Sequence, residues 1–208
     1  MLPIFRASPG AELREGTGEE LPAVPLASPS ILRNYAELTK PRLLPLVLMT
    51  GLPALYLSGG GAPAPAFAAL VMLGIALAAA SANTLNAYIE RDKDALMART
   101  KDRPLPAGRM APGAALLFGL VLAVVSTLLL LAVSGPAAAG LGVASIAFYV
   151  FVYTLWLKPR SDQNIVIGGA AGAVPVLVGW AAVTGSLAAP AWLMFAIIFL
   201  WTPPRSPS

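Results

Sequence analysis

The chain has 208 residues, of which 57% are hydrophobic and only 12% charged, about half the charge of an ordinary soluble domain. Cysteine and histidine are both absent, which excludes disulfides, thiolate metal sites and imidazole acid–base chemistry and leaves carboxylates and amides as hard oxygen ligands. The composition is that of an integral membrane protein, and the net charge of +4 takes its meaning from where the charges sit.

Residues 1–38, which include "SPGAELREGTGEELPAVPLASPS", are rich in Pro, Gly, Ser and Glu and are expected to form a disordered cytosolic tail. No apolar run follows an early basic cluster, so this is not read as a signal peptide, and its acidic residues argue against a mitochondrial presequence. Apolar segments follow at 43–58, 65–89, 112–133, 137–157, 163–184 and 190–202. Most approach the roughly 20 residues that a membrane-crossing helix needs; the first and last are short.

The breaks between these segments alternate in character. Lys and Arg occur only up to Arg42, in 91–109, in 158–160 and in the last few residues, whereas 59–64, 134–136 and 185–189 carry no charge. All fourteen basic residues thus fall on one side, which the positive-inside rule makes the cytosol, with the N-terminus inside. The ten acidic residues fall on the same side, so the basic excess is topological and does not point to nucleic acid. Small residues in "GGAAGAVPVLVGWAAVTG" (168–185) and "GLGVAS" (140–145) predict close helix packing. Pro175 is expected to kink its helix or to free a backbone group toward a cavity.

The stretch "NAYIERDKDALMARTKDRPLPAG" (86–108) holds nine of the 24 charged residues (14 basic and 10 acidic). Continued past Ala87, the helix of the second segment puts Asn86, Glu90 and Asp94 on one face, with Asn83 a turn earlier. Asp92 points roughly opposite and joins them only if the helix has loosened. Amide and carboxylate oxygens suit Mg²⁺, which takes few protein ligands and shares its shell with water and phosphate. Arg99, Lys101, Arg103 and Arg109 follow, and Pro104, Pro106 and Gly108 stiffen and turn the loop back over the mouth. Metal ligands beside guanidinium groups are what a diphosphate requires. An ordinary juxtamembrane loop, with basic residues for topology and acids as their partners, fits the spacing equally well.

The same stretch resembles the first aspartate-rich motif of the UbiA superfamily of intramembrane prenyltransferases. That motif is Asn-Asp-x-x-Asp-x-x-x-Asp followed by Arg-Thr-x-x-Arg-Pro-Leu-x-x-Gly. Here it reads Asn86-Ala87-x-x-Glu90-x-x-x-Asp94, then "RTKDRPLPAG" (99–108), with Ala87 and Glu90 in place of the first two Asp. Within the superfamily the chain is most similar to the protoheme IX farnesyltransferase branch, in which Asp92 has a counterpart two residues before the last Asp. "LTKPRLLPLVLMTGL" (38–52), "YTLWLK" (153–158) and "QNIVIGGAAGAVPVLVGWAAVTGSL" (163–187) extend the resemblance to about residues 33–204.

The resemblance implies an all-α, polytopic membrane helical bundle around a cavity open to lipid, with about six transmembrane helices here of about nine in the family. It divides the chain into the tail (1–38), a UbiA-like transmembrane domain (39–204) and an aberrant ending (205–208). It implies Mg²⁺ as cofactor, farnesyl diphosphate and heme b as substrates, and heme O as product, in the cell (inner) membrane. Asn86, Glu90 and Asp94 would be the catalytic metal ligands, with Asp92 a further possibility. Arg42, Arg99, Lys101, Arg103 and Lys158 would bind diphosphate; interfacial anchoring is the alternative for Arg42 and Lys158.

The ending "FLWTPPRSPS" departs from the family, whose members read Trp-Thr-Pro-Pro-His-Phe-Trp and continue to a second aspartate-rich motif. A C-terminal truncation, inactive on its own, is expected from this. Two other readings stand beside it. One is a prenyltransferase with a quinone-type acceptor, against which the "QNIVIGGAAGA" run argues. The other is a small transporter, against which the absence of an internal repeat and of mid-helix charge argues.

Overall fold

The structure, a computed structural model, describes residues 30–59, 61–158, 160 and 164–201. The stretches 1–29 and 202–208, and with them most of the expected tail and the aberrant ending, lie outside the described residues. The described residues form helices α1 (Ile31–Thr39), α2 (Leu44–Leu57), α3 (Pro65–Ala95), α4 (Pro112–Ser134), α5 (Pro136–Ala147), α6 (Asn164–Thr184) and α7 (Ala189–Trp201). From Phe148 to Leu157, α5 continues as a π-helix. No strand is present among the described residues.

Each apolar segment of the sequence becomes one continuous helical run, and in three of them a reason lies at the start. α3, α4 and α5 each begin on a proline, Pro65, Pro112 and Pro136, at the position where a missing N–H costs nothing and the fixed φ favours the helix. Gly135, at φ 83°, closes α4 with its N–H on the Leu131 carbonyl and lets α5 turn back at once. Three spans are long and apolar enough to cross a membrane: Pro65–Ala95, Pro112–Ser134 and Pro136–Leu157. Leu44–Leu57, Gly168–Thr184 and Ala189–Trp201 are shorter apolar helices. Leu117, Leu120, Val124 and Leu128 stay exposed along the outer side of α4, which suits a lipid surround.

Packing rests on small residues and on hydroxyl groups. α3 and α4 are held by a reciprocal pair of bonds: Ser81 Oγ donates to the Gly119 carbonyl and Ser126 Oγ to the Gly74 carbonyl, both at 2.8 Å. Each hydroxyl thus sits where the facing helix presents a glycine, so the backbones lie close. α2 and α6 also approach closely, since a Cβ on Gly179 would stand 2.6 Å from the Gly51 carbonyl oxygen. The main core cluster joins Leu55 of α2, Val71 and Ile75 of α3, Leu130 of α4 and Val178 of α6. α6 runs through Pro175 as one helix, with Thr50 Oγ1 donating to the neighbouring Gly172 carbonyl at 3.2 Å.

The tail ends earlier than expected. Residues 31–38 belong to α1, because Ser30 caps the helix by accepting from the Arg33 N–H and because Leu38 is buried against Ala87, Leu105 and Ala115. Tyr35 stacks edge-on against Phe118 at 4.8 Å, and Glu37 pairs with Arg109 at 3.0 Å. These contacts lay α1 across the base of α3, α4 and the loop between them.

Candidate functional site

α3 is 31 residues long, about 47 Å, which exceeds the roughly 30 Å hydrocarbon layer by three turns. Its last turns carry Asn86, Glu90 and Asp94, all three buried on one face, as the i, i+4, i+8 spacing requires. They line a cavity of about 390 Å³ together with Lys40, Lys93, Arg99, Arg103, Tyr149, Tyr153 and Lys158.

Three elements converge on that face, and each delivers one cation to one residue. From the turn after α1, Lys40 Nζ donates to Asn86 Oδ1 at 2.8 Å. From the end of the π-helix, Lys158 Nζ lies 2.6 Å from Glu90 Oε1 and 2.8 Å from Oε2. From the loop after α3, Arg103 Nη1 lies 2.7 Å from Asp94 Oδ2. Asn86 Nδ2 donates in turn to Glu90 Oε2 at 3.0 Å and to Thr154 Oγ1 at 3.2 Å. With an ammonium on its oxygen and acceptors on its nitrogen, the amide has a single orientation that pairs every donor with an acceptor. These contacts also bring the chain before α2, the α3–α4 loop and the stretch after the π-helix to the same end of the bundle.

Local backbone geometry aims the side chains. Lys40 has φ 53° and ψ 62°, the left-handed region, and is the non-glycine residue with positive φ among those described. That conformation costs a β-carbon-bearing residue about 1–2 kcal/mol. It is further disfavoured before Pro41. The strain is held by the Lys40 N–H on the Glu37 carbonyl and by Asn83 Nδ2, which donates to the Thr39 carbonyl at 3.1 Å. Its result is a turn that drops the lysine into the cavity. Burial, and then the Arg103 guanidinium nearby, push the Lys40 ammonium down to about 8. In the π-helix, backbone i→i+5 bonding widens each turn, as where the Lys158 N–H donates to the Tyr153 carbonyl at 3.0 Å; the Thr154 hydroxyl also donates to the Tyr149 carbonyl at 2.8 Å. The wider turn sets Tyr149, Tyr153, Thr154 and Lys158 toward α3, with the two tyrosine rings 5.0 Å apart.

Tyr149 also lines a second, largely apolar cavity of about 220 Å³, bounded by Leu43, Val47, Ile75, Ala78, Leu130 and Val178. The polar mouth and the apolar chamber therefore share Tyr149 as a wall. A ligand with an anionic head and a hydrocarbon tail matches that pairing.

The sequence expectations divide on this geometry. Asn86, Glu90, Asp94, Arg99, Arg103 and Lys158 line the mouth together. Arg42 and Lys101 do not: both are exposed, and Lys40 stands where Arg42 was expected, because the left-handed turn points the lysine inward and leaves the arginine outside. Asp92 is also outside; α3 stays regular to Ala95, so its carboxylate faces out and pairs with Arg91 at 3.5 Å. Lys40, Lys93, Tyr149, Tyr153 and Thr154 are site residues that sequence reasoning did not assign. The quoted "LTKP" and "YTLWLK" runs contain three of them, but no local periodicity separates them from ordinary interfacial residues.

Residues 47–206 match the family model described as the UbiA prenyltransferase family. The chain belongs to the UbiA prenyltransferase family. Among curated relatives it is 51% identical over 180 residues to a protoheme IX farnesyltransferase of Symbiobacterium thermophilum, covering 86% of this chain and 60% of that one. It is 55% identical over 174 residues to the protoheme IX farnesyltransferase of Synechococcus elongatus, covering 84% and 55%. The chain thus spans a little over half the length of the curated relatives it matches. A solved structure of digeranylgeranylglyceryl phosphate synthase in membranes superimposes with a TM-score of 0.70 at 21% identity, over 82% of this chain and 59% of that one. That likeness shows the family's all-helical membrane fold.

Proposed function

We propose that this chain carries the first diphosphate-binding motif of a farnesyltransferase that joins farnesyl from farnesyl diphosphate to a vinyl group of heme b, giving heme O. The observation that carries the reading is a cation-lined mouth and an apolar chamber set on either side of Tyr149. Identity of about half with protoheme IX farnesyltransferases supports the choice of heme as acceptor.

In this reading the diphosphate lies in the mouth against Lys40, Arg103 and Lys158, and the farnesyl chain lies in the chamber among Val47, Ile75, Ala78 and Leu130. Asn86, Glu90 and Asp94 are hard oxygen donors one turn apart, so they fit Mg²⁺ and would hold it. When bound, the ion offsets charge on the departing diphosphate. The carbon–oxygen bond to diphosphate breaks, both electrons leave with oxygen, and Lys and Arg donors stabilise the anion. The allylic cation is taken by the vinyl carbon, forming the new carbon–carbon bond. Water adds to the resulting cation and loses a proton, which leaves the hydroxyethylfarnesyl group. Tyr149, which lines both the mouth and the chamber, would shield the allylic cation from early water, which would give farnesol instead.

The charged end faces the cytosol of a cell membrane in this reading, since the basic loops cluster there. The test is a product assay on the chain in lipid with farnesyl diphosphate and Mg²⁺, offering heme b and 4-hydroxybenzoate in parallel. Heme O from the first and no product from the second is the outcome of the proposed reaction; no product from either is what the truncation expected from the ending predicts, and pyrophosphate binding then tests the mouth by itself. Prenylated benzoate with no heme O overturns the choice of acceptor.

A further inference from the structure

The acidic stripe is already occupied, by protein cations. Asn86 Oδ1 takes Lys40, both Glu90 oxygens take Lys158, and Asp94 Oδ2 takes Arg103. The three cations come from three separate elements, so the one-to-one pairing is a property of the tertiary structure rather than of neighbouring residues. The charge of the mouth points the same way. Lys40, Lys93, Arg99, Arg103 and Lys158 line it against two carboxylates, Glu90 and Asp94, a net of three positive charges. A free dication entering this space meets like charge and must also evict an ammonium from Asn86 Oδ1 and from Glu90, and compete with the guanidinium on Asp94 Oδ2. A diphosphate meets the opposite field and offers the same three cations better acceptors than a neutral amide and two single carboxylates.

We propose that Lys40, Lys158 and Arg103 are resident counter-cations that keep free Mg²⁺ off the stripe, and that diphosphate, by drawing them onto its own oxygens, uncovers Asn86, Glu90 and Asp94 for the metal. The metal site is then created by the substrate's head group, and binding is ordered: diphosphate before, or together with, the ion. This rests on the diphosphate reading above and adds the order of events. One consequence is that the ion and the leaving group assemble only when both are present, so the carboxylates hold no metal between turnovers.

The test is equilibrium dialysis of the full 208-residue chain in detergent, with radiolabelled inorganic pyrophosphate and with Mg²⁺ measured by atomic absorption. Pyrophosphate is expected to bind in the presence of EDTA, and Mg²⁺ at millimolar concentration to bind only once pyrophosphate is present. Lys158→Met should weaken metal-free pyrophosphate binding about tenfold, the loss of one charge-assisted bond, while Arg33→Met leaves it unchanged. The wild-type chain alone decides the order, whatever the variants' folding. Stoichiometric Mg²⁺ binding without pyrophosphate overturns the proposal. Pyrophosphate binding that requires Mg²⁺ overturns the order and leaves the diphosphate site standing. No pyrophosphate binding under either condition overturns both the order and the functional reading beneath it.

Discussion

Lys158 Nζ is held between both carboxylate oxygens of Glu90, at 2.6 and 2.8 Å, across 68 residues of sequence. The contact ties the end of the π-helix to the face of α3. Glu90 is buried while the ammonium is partly open to the cavity. The carboxylate therefore depends on the lysine more than the lysine depends on it. Lys158→Met should destabilise the chain by about 1–3 kcal/mol, because it strands a buried charge. Glu90→Gln in that background should restore part of the loss. A double-mutant cycle by chemical denaturation in detergent measures both, and strict additivity would show that the two groups do not interact.

Asp94 and Asp92 lie two residues apart and face opposite ways, the first onto Arg103 in the cavity and the second outward. Asp94→Asn should lower turnover of farnesyl diphosphate by at least about 100-fold, the size of one lost electrostatic contribution to the transition state. Asp92→Asn should leave turnover within about twofold. Steady-state rates of the proposed heme O formation check the pair, and a large effect at Asp92 would mean that α3 unwinds before Ala95 when substrate is bound.

Gly179 has no room for a methyl group, since the obstructing atom is the Gly51 backbone oxygen, which cannot rotate aside. Gly179→Ala should cost about 1–3 kcal/mol by forcing α2 and α6 apart. Gly140→Ala meets nothing within 4 Å and should be neutral or slightly stabilising. Thermal unfolding of the two variants in the same detergent gives the comparison.

Ser81 and Ser126 bond reciprocally across α3 and α4. Each Ser→Ala change should cost about 0.6 kcal/mol, the mean for hydrogen bonds between membrane helices. Because a smaller side chain also leaves the helices free to close, neither should alter the position of Glu90. Equal losses of stability with unchanged pyrophosphate affinity would bear this out, and a fall in affinity would show that the α3–α4 contact positions the mouth.

What the sequence determined by itself is whatever depends on near neighbours along the chain. Six apolar segments and the alternation of charged and uncharged connections between them were legible because a helix forms from local bonds and ends where local chemistry ends it. The Asn86–Glu90–Asp94 face was legible for the same reason, since a spacing of four is a contact within one helix. Tertiary structure decided which cations meet that face. A two-residue difference, Lys40 inside and Arg42 outside, hangs on one left-handed turn pinned by Asn83 from α3, a partner 44 residues away. Tyr149, Tyr153 and Thr154 reach the site only because a helix of ordinary apolar sequence widens into a π-helix, for which no residue pattern gives notice. The boundary of α1 belongs here too. Its residues look like a tail until Leu38 finds Ala87, Leu105 and Ala115, because burial against distant parts of the chain is not written in the spacing of the segment itself.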